Sequence, residues 1–176
     1  MSELGQIHPA LAPLARAAKA FGDAMSTTGL SPDAMLRALH DAVGKNRGWL
    51  RPEHRVGDPT RHMRHLLYID PGDQFVITAI TWLPGQKSPV HGHYVWCGYG
   101  VVEGTLTEET FRAPGALLES LGTKAIGAGE LAEFDLGGPI YHQVSNRTGK
   151  PLVSLHVYGV AADRLTTGIN RIYGEA

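Results

Sequence analysis

In a chain of 176 residues, 43 % apolar residues suffice for one sizeable core, and 19 % charged residues are too few for global disorder. The 16 basic residues nearly balance the 17 acidic ones, which leaves no electrostatic reason to expect nucleic acid or an anionic membrane as partner. Cys97 is the single cysteine, so no intrachain disulfide can form, and a reducing, cytoplasmic setting is expected. The N-terminal stretch lacks the apolar core of a secretory leader, and no run approaches the ~18 apolar residues of a membrane span.

The first 45 or so residues carry a helical pattern. Leu11, Leu14, Ala18, Phe21 and Met25 recur at spacings of three and four, one stripe of a helix. Ser31 as N-cap, Pro32 at the first helical position and Asp33 in the first turn announce a second helix. Met35 or Leu36, Leu39 and Val43 continue its apolar face to Gly44. Both helices are expected to pack on the outside of the main domain, with Met25 and Met35 as core residues. From 46 to about 62 the chain is polar and punctuated by Pro and Gly, and is expected to be a connecting loop.

Short β-rich runs separated by turn signals follow: His65–Ile69, Phe75–Leu83, Val90–Trp96, Gly100–Glu103, Leu106–Phe111, Leu131–Phe134, Tyr141–Ser145 and Leu152–Val157. Many short strands without intervening helices predict a mainly β domain, an antiparallel barrel of jelly-roll type. The expected organisation is a helical prefix over residues 1–45 and a barrel over 46–176, together one structural domain.

His91 and His93 stand two apart on a predicted strand, so both imidazoles project from one face. His142, about fifty residues on, is the best third ligand. Three neutral imidazole nitrogens leave coordination positions open, as catalysis by a late first-row metal requires. A bare His-x-His pair is weak evidence, because structural histidines are common.

The surrounding residues add to it. The stretch Gly85-QKSPV-His91-Gly-His93-YVW-Cys97-GYGVVE-Gly104 resembles the first cupin motif, with Cys97 where a glutamate is usual. His142-QVS-Asn146 is similar to the end of the second motif, preceded by a degenerate Gly137-Gly138-Pro139. Three histidines without the carboxylate resemble the cupin thiol dioxygenases, namely the cysteine, 3-mercaptopropionate and mercaptosuccinate dioxygenases. Ser154-Leu-His156-Val-Tyr158 is similar to that family's Ser-x-His-x-Tyr relay, over a resemblance that spans roughly residues 60–160.

The resemblance implies Fe(II) on His91, His93 and His142, and a reaction that adds both atoms of O2 to the sulfur of a small carboxylated thiol, giving a sulfinic acid. Ser154, His156 and Tyr158 would order hydrogen bonds beside the iron. Arg64, at the start of the strand expected beside the metal strand, looks like the arginine that binds the carboxylate of cysteine. His62 holds a position where cysteine dioxygenase has tyrosine. Arg164 and Arg171 follow the relay, and Arg171 reaching the site would suit a dicarboxylate thiol such as mercaptosuccinate. In mammalian-type relatives a cysteine after the His-x-His pair forms a thioether with the relay tyrosine. Cys97 falls there counting back from Gly104 and one residue early counting from His93, which leaves two readings open, a Cys97–Tyr158 crosslink and a buried free thiol. Gly92 replaces the usual aspartate between the histidines and removes one expected outer partner of the metal ligands. Trp82, Tyr94 and Trp96 are placed to line or back the pocket, with Trp82 and Trp96 favoured as core. Two other readings stand beside this one: another metal-dependent cupin oxygenase or isomerase, and a metal-free cupin that binds a small molecule.

Overall fold

The computed structural model describes residues 6–25, 31–114, 117–132 and 134–174. It is mainly β, with nine strands in two antiparallel sheets and two helices before them. The helices are α1 (Ala12–Asp23) and α2 (Asp33–Gly44). The strands are β1 (Met63–Ile69), β2 (Val76–Trp82), β3 (His91–His93), β4 (Cys97–Glu103), β5 (Thr105–Arg112), β6 (Glu119–Gly127), β7 (Tyr141–Ser145), β8 (Leu152–Tyr158) and β9 (Asn170–Ile172). One sheet runs β1-β2-β8-β4 and the other β6-β5-β7-β3-β9.

The helices explain why β2 and β8 are buried along their whole length. Both faces of the four-stranded sheet are covered, so these strands are nearly continuous apolar runs. On the outer face Ile77, Ala79, Val153, Leu155 and Val157 pack against Leu14, Ala18, Phe21, Met35 and Leu39 of the helices. On the inner face Val76, Ile80, Trp82 and Leu152 join Val101, Leu106 and Val144 inside the barrel. Ser154, His156 and Tyr158 alternate with β8's outward residues and so face that interior as well.

Several elements differ from the sequence pattern. Met25 lies beyond the end of α1 and is 44 % exposed, so it is not a core residue. The Ser31 hydroxyl accepts from the Asp33 amide, and α2 begins at Asp33 rather than Pro32. The 46–62 segment is pinned: Trp49 is buried, donates from Nε1 to the Ala42 carbonyl at 3.0 Å and sits in one of two short 3-10 turns. The run Val90–Trp96 yields only β3, because the chain leaves the sheet at Tyr94 to bury Trp96 against Phe21. Leu131 and Asp135 make isolated bridges to β4 in place of a strand. Strand β6 was hidden because most of its residues are exposed and polar, and β9 because three residues carry no periodicity. Strand β1 is the edge of the four-stranded sheet, so Arg64 does not stand beside β3 but reaches the site from the opposite sheet. Among the described residues, no helix is long and apolar enough to cross a membrane.

Candidate metal centre

β3 lies between β7 and β9, and His91 is the direct register partner of His142. Two adjacent positions on one strand and one on its neighbour therefore aim three imidazoles inward. One nitrogen from each of His91, His93 and His142 falls in a group whose members lie within 4.8 Å of one another.

The hydrogen bonds fix which nitrogens converge. Nδ1 of His91 faces the Pro89 carbonyl at 3.0 Å, Nδ1 of His93 faces Asp135 Oδ2 at 2.9 Å, and Nδ1 of His142 faces Glu108 Oε1 at 2.8 Å. A carbonyl and an ionised carboxylate only accept, so each Nδ1 carries the hydrogen and each Nε2 of a neutral ring holds a lone pair. His142 Nε2 and His91 Nε2 are 3.2 Å apart. Nitrogens at that distance are joined either by a hydrogen on one of them or by a cation bound to both lone pairs. The separation suits two nitrogens bound to one ion at about 2.0–2.1 Å. The donor set thus fits a divalent transition metal held by three imidazoles.

Electrostatics keep the ligands ready. Burial, followed by the nearby rings of His142 and His93, pushes His91 down to about 3 from its ordinary 6.5. Burial also lowers His93, against the opposing pull of Asp135. For Glu108 burial acts to raise the pKa, but hydrogen bonds from His142, Tyr99 and Lys124 overcome it and hold the carboxyl down at about 2. Asp135 is likewise lowered against burial, by His93 and by the amides of Gly138 and Gly137. Neutral imidazoles bound to ionised outer carboxylates are the arrangement metal-binding histidines use. The sequence reading missed Glu108, Asp135 and Tyr99. Glu108 left one signal: with Leu106 it occupies an inward position of β5, where a lone charge needs a partner. Asp135 lies in a loop and left none.

The wall facing the triad is the relay. Ser154 Oγ is 2.8 Å from His156 Nε2, and Tyr158 Oη is 2.9 Å from His156 Nδ1. Trp82 donates from Nε1 to Ser154 Oγ at 3.1 Å, so it belongs to the site as well as to the core. Burial drives His156 well below its ordinary value and raises Tyr158, so both are neutral. The ring of Tyr99 stacks on His156 at 4.8 Å.

The triad, His156 and Tyr158 line a cavity of about 40 Å³, whose lining also includes His62, Arg64, Trp82, Cys97, Tyr99 and Asn170. A volume of this size suits a small ligand. Arg64 donates from Nη1 to the Leu165 carbonyl at 3.1 Å, its carbon Cζ lies 5.8 Å from the Tyr158 ring centre, and its buried Nε has no hydrogen-bond partner. His62 stacks on Trp82 at 4.4 Å. Cys97 is the register partner of Tyr158. Burial raises the Cys97 thiol well above its ordinary value, so it stands as a neutral thiol.

Other residues named from the sequence lie elsewhere. Arg171 pairs with Gly92, on the face opposite to His91 and His93. It donates from Nη2 to the Gly138 carbonyl at 2.8 Å and lies 4.7 Å above the Tyr141 ring, and it does not line the cavity. Arg164 caps no part of the cavity, Tyr94 is 66 % exposed, and Trp96 is packed under the helices. Gly92 has a physical reason for its lack of a side chain: a Cβ there would stand 2.7 Å from the Ile140 carbonyl oxygen and 2.8 Å from Arg171 Nη2.

No family model matches the chain. Among solved structures, protein TT1209 of Thermus thermophilus aligns with a TM-score of 0.50 at 19 % identity, over 63 % of this chain and 96 % of its own. A double-stranded β-helix protein of Klebsiella pneumoniae aligns at 0.49 and 16 % identity, over 70 % of this chain and 93 % of its own. A sugar phosphate isomerase of the cupin superfamily from Silicibacter pomeroyi aligns at 0.43 and 29 % identity, over 55 % of this chain and 59 % of its own. This chain has the cupin fold. In that fold the triad sits on the inner wall of the barrel.

Proposed function

We propose that this cupin is an Fe(II)-dependent thiol dioxygenase that converts a small carboxylated thiol and O2 to the sulfinic acid. The observation that carries the proposal is the hydrogen-bonded Ser154–His156–Tyr158 array, whose His156 and Tyr158 line one small cavity with Arg64 and a three-histidine centre lacking a carboxylate ligand. Bound iron would supply two chemistries, lowering the pKa of the thiol and holding it beside O2.

The chain's own residues do the rest. Arg64 presents a cation to a carboxylate, and its buried, unpartnered Nε gains a hydrogen bond when one arrives. No second arginine lines the cavity, so one carboxylate is favoured over two, and L-cysteine or 3-mercaptopropionate over mercaptosuccinate. The relay admits two hydrogen arrangements with His156 neutral in both. In one, Tyr158 donates to Nδ1 and Nε2 donates to Ser154. In the other, Ser154 donates to Nε2 and Nδ1 donates to Tyr158, which frees the Tyr158 hydroxyl to donate into the cavity. Both arrangements hold the same hydrogens, so the relay turns the Tyr158 hydroxyl toward or away from the reacting site while every member stays neutral. The walls exclude bulk water, which strengthens each of these interactions.

A second reading is a metal-dependent oxygenase or isomerase acting on a small oxygen acid. It is favoured by the absence of any thiol-selective feature in the cavity, since Arg64 and the triad suit any short carboxylate. A metal-free binding role sits poorly with three converging lone pairs.

Oxygen uptake by iron-loaded protein against L-cysteine, 3-mercaptopropionate, mercaptosuccinate and cysteamine separates the readings. Uptake with one carboxylated thiol, lost in His142→Ala, supports the dioxygenase. Iron bound with no uptake on any thiol refutes it and leaves the second reading.

A further inference from the structure

Behind His142 stands a buried carboxylate, Glu108. Glu108 Oε1 accepts from His142 Nδ1 and from the Tyr99 hydroxyl, and Oε2 lies 2.9 Å from Lys124 Nζ. Glu108 is 3 % exposed, while the Lys124 side chain on β6 is about half exposed at 46 %. Two hydrogen bonds and one ion pair therefore converge on one buried carboxylate, and only one of the three comes from a metal ligand. The ring of Tyr99 also stacks on His156 of the relay, so this carboxylate connects the two walls of the site.

We propose that Glu108 is the positioning residue that delivers the missing carboxylate charge to the metal through His142, and that Tyr99 and Lys124 set how much of that charge His142 receives. The inference rests on the triad holding a metal and is independent of which substrate reacts there.

The physical reasoning makes the signs opposite. An ionised carboxylate on Nδ1–H makes the imidazole a stronger donor to a dication. Removing the charge weakens metal binding and favours the reduced ion. Each further donor to the same carboxylate draws charge away from His142. Removing such a donor strengthens the bond to Nδ1–H, tightens metal binding and favours the oxidised ion. A purely structural role predicts that every one of these variants weakens binding.

The test uses the full chain with Zn(II) or Co(II), titrated in competition with a chromophoric chelator, and the Fe(III)/Fe(II) midpoint potential of iron-loaded protein. Glu108→Gln keeps an acceptor for His142 and is expected to bind metal about 10- to 100-fold more weakly, with a raised potential. Tyr99→Phe keeps the stack on His156 and adds no charge; it is expected to bind a few-fold more tightly, with a lowered potential. Lys124→Met should move the same way as Tyr99→Phe. In the double variants with Glu108→Gln both effects should vanish, as they must if they act through that carboxylate. Unchanged affinity and potential in Glu108→Gln would overturn the proposal. So would weaker binding in Tyr99→Phe, or an effect of Tyr99→Phe that persists beside Glu108→Gln. If Glu108→Gln does not fold, the sign of the Tyr99→Phe change alone decides. A wild-type chain that binds none of these metals would overturn the metal centre itself, a result distinct from any of these.

Discussion

Acidifying the metal-free protein from about pH 7.5 to about pH 5 is expected to remove about 2 kcal/mol of stability through His91 alone. Burial and the neighbouring His142 and His93 push His91 from 6.5 down to about 3. In the unfolded chain the same residue titrates at its ordinary value, so the unfolded state takes up the proton first. A depressed folded value means that the contribution is complete above about pH 6.5 and is lost as the pH falls toward about 3. At about pH 5 the unfolded residue has been protonated over roughly 1.5 pH units while the folded one has not, and 1.36 kcal/mol per unit gives about 2 kcal/mol. The full loss approaches about 5 kcal/mol near pH 3. Glu108 does not confuse this window, because its depressed value of about 2 costs stability only as the pH falls below its ordinary 4.5. For a domain of this size about 2 kcal/mol corresponds to roughly 4–8 °C in Tm. The assay is thermal unfolding of chelator-stripped protein at both pH values, followed by circular dichroism, beside His91→Asn. Asparagine can place its amide near Nδ1 and keep the bond to Pro89 while removing the titration. The other buried histidines contribute to both proteins, so the difference between them isolates His91. An equal pH-dependent drop in His91→Asn would refute the reasoning.

Three further outcomes are expected. Arg64→Gln should raise KM for a carboxylated thiol by about 10- to 100-fold, the worth of a charge-assisted hydrogen bond, and leave cysteamine unaffected; an equal loss with cysteamine would remove Arg64 from carboxylate binding. Gly92→Ala places a Cβ 2.7 Å from the Ile140 carbonyl oxygen, between two ligands, and should cost about 1–3 kcal/mol in thermal unfolding and weaken metal titration; an unchanged Tm would contradict the packing. Cys97 and Tyr158 are buried register partners, so aerobic turnover with iron should join them, with loss of two hydrogens to O2. Intact mass under denaturing conditions reads this, and the mass of the unmodified sequence after turnover rules the crosslink out.

Much of the site was legible in the sequence because strand geometry converts spacing into direction. His91 and His93, and likewise Ser154, His156 and Tyr158, share faces because alternate residues of a strand must. His91, His93, His156 and Tyr158 line one cavity with His142 and Arg64, and Ser154 stands behind His156. Helix periodicity placed Leu14, Phe21, Met35 and Leu39 on the core side, and failed at Met25 because the helix had already ended. Strands were legible where they bury apolar side chains, as β2 and β8 do, and invisible where they do not, as in β6.

What the sequence alone determined is the mainly β barrel, and that His91 and His93, like Ser154, His156 and Tyr158, share a face, since both follow from local pattern. Only the tertiary structure decided the partners that those residues meet. It set Arg64 across the barrel from the triad and turned Arg171 to the outer face. It brought Glu108 and Asp135, at sequence separations of 34 and 42 from the histidines they hold, to Nδ1 of His142 and His93. Strand alternation states which way a side chain points, but which strand lies opposite depends on how two sheets close on each other. No spacing within one segment carries that information.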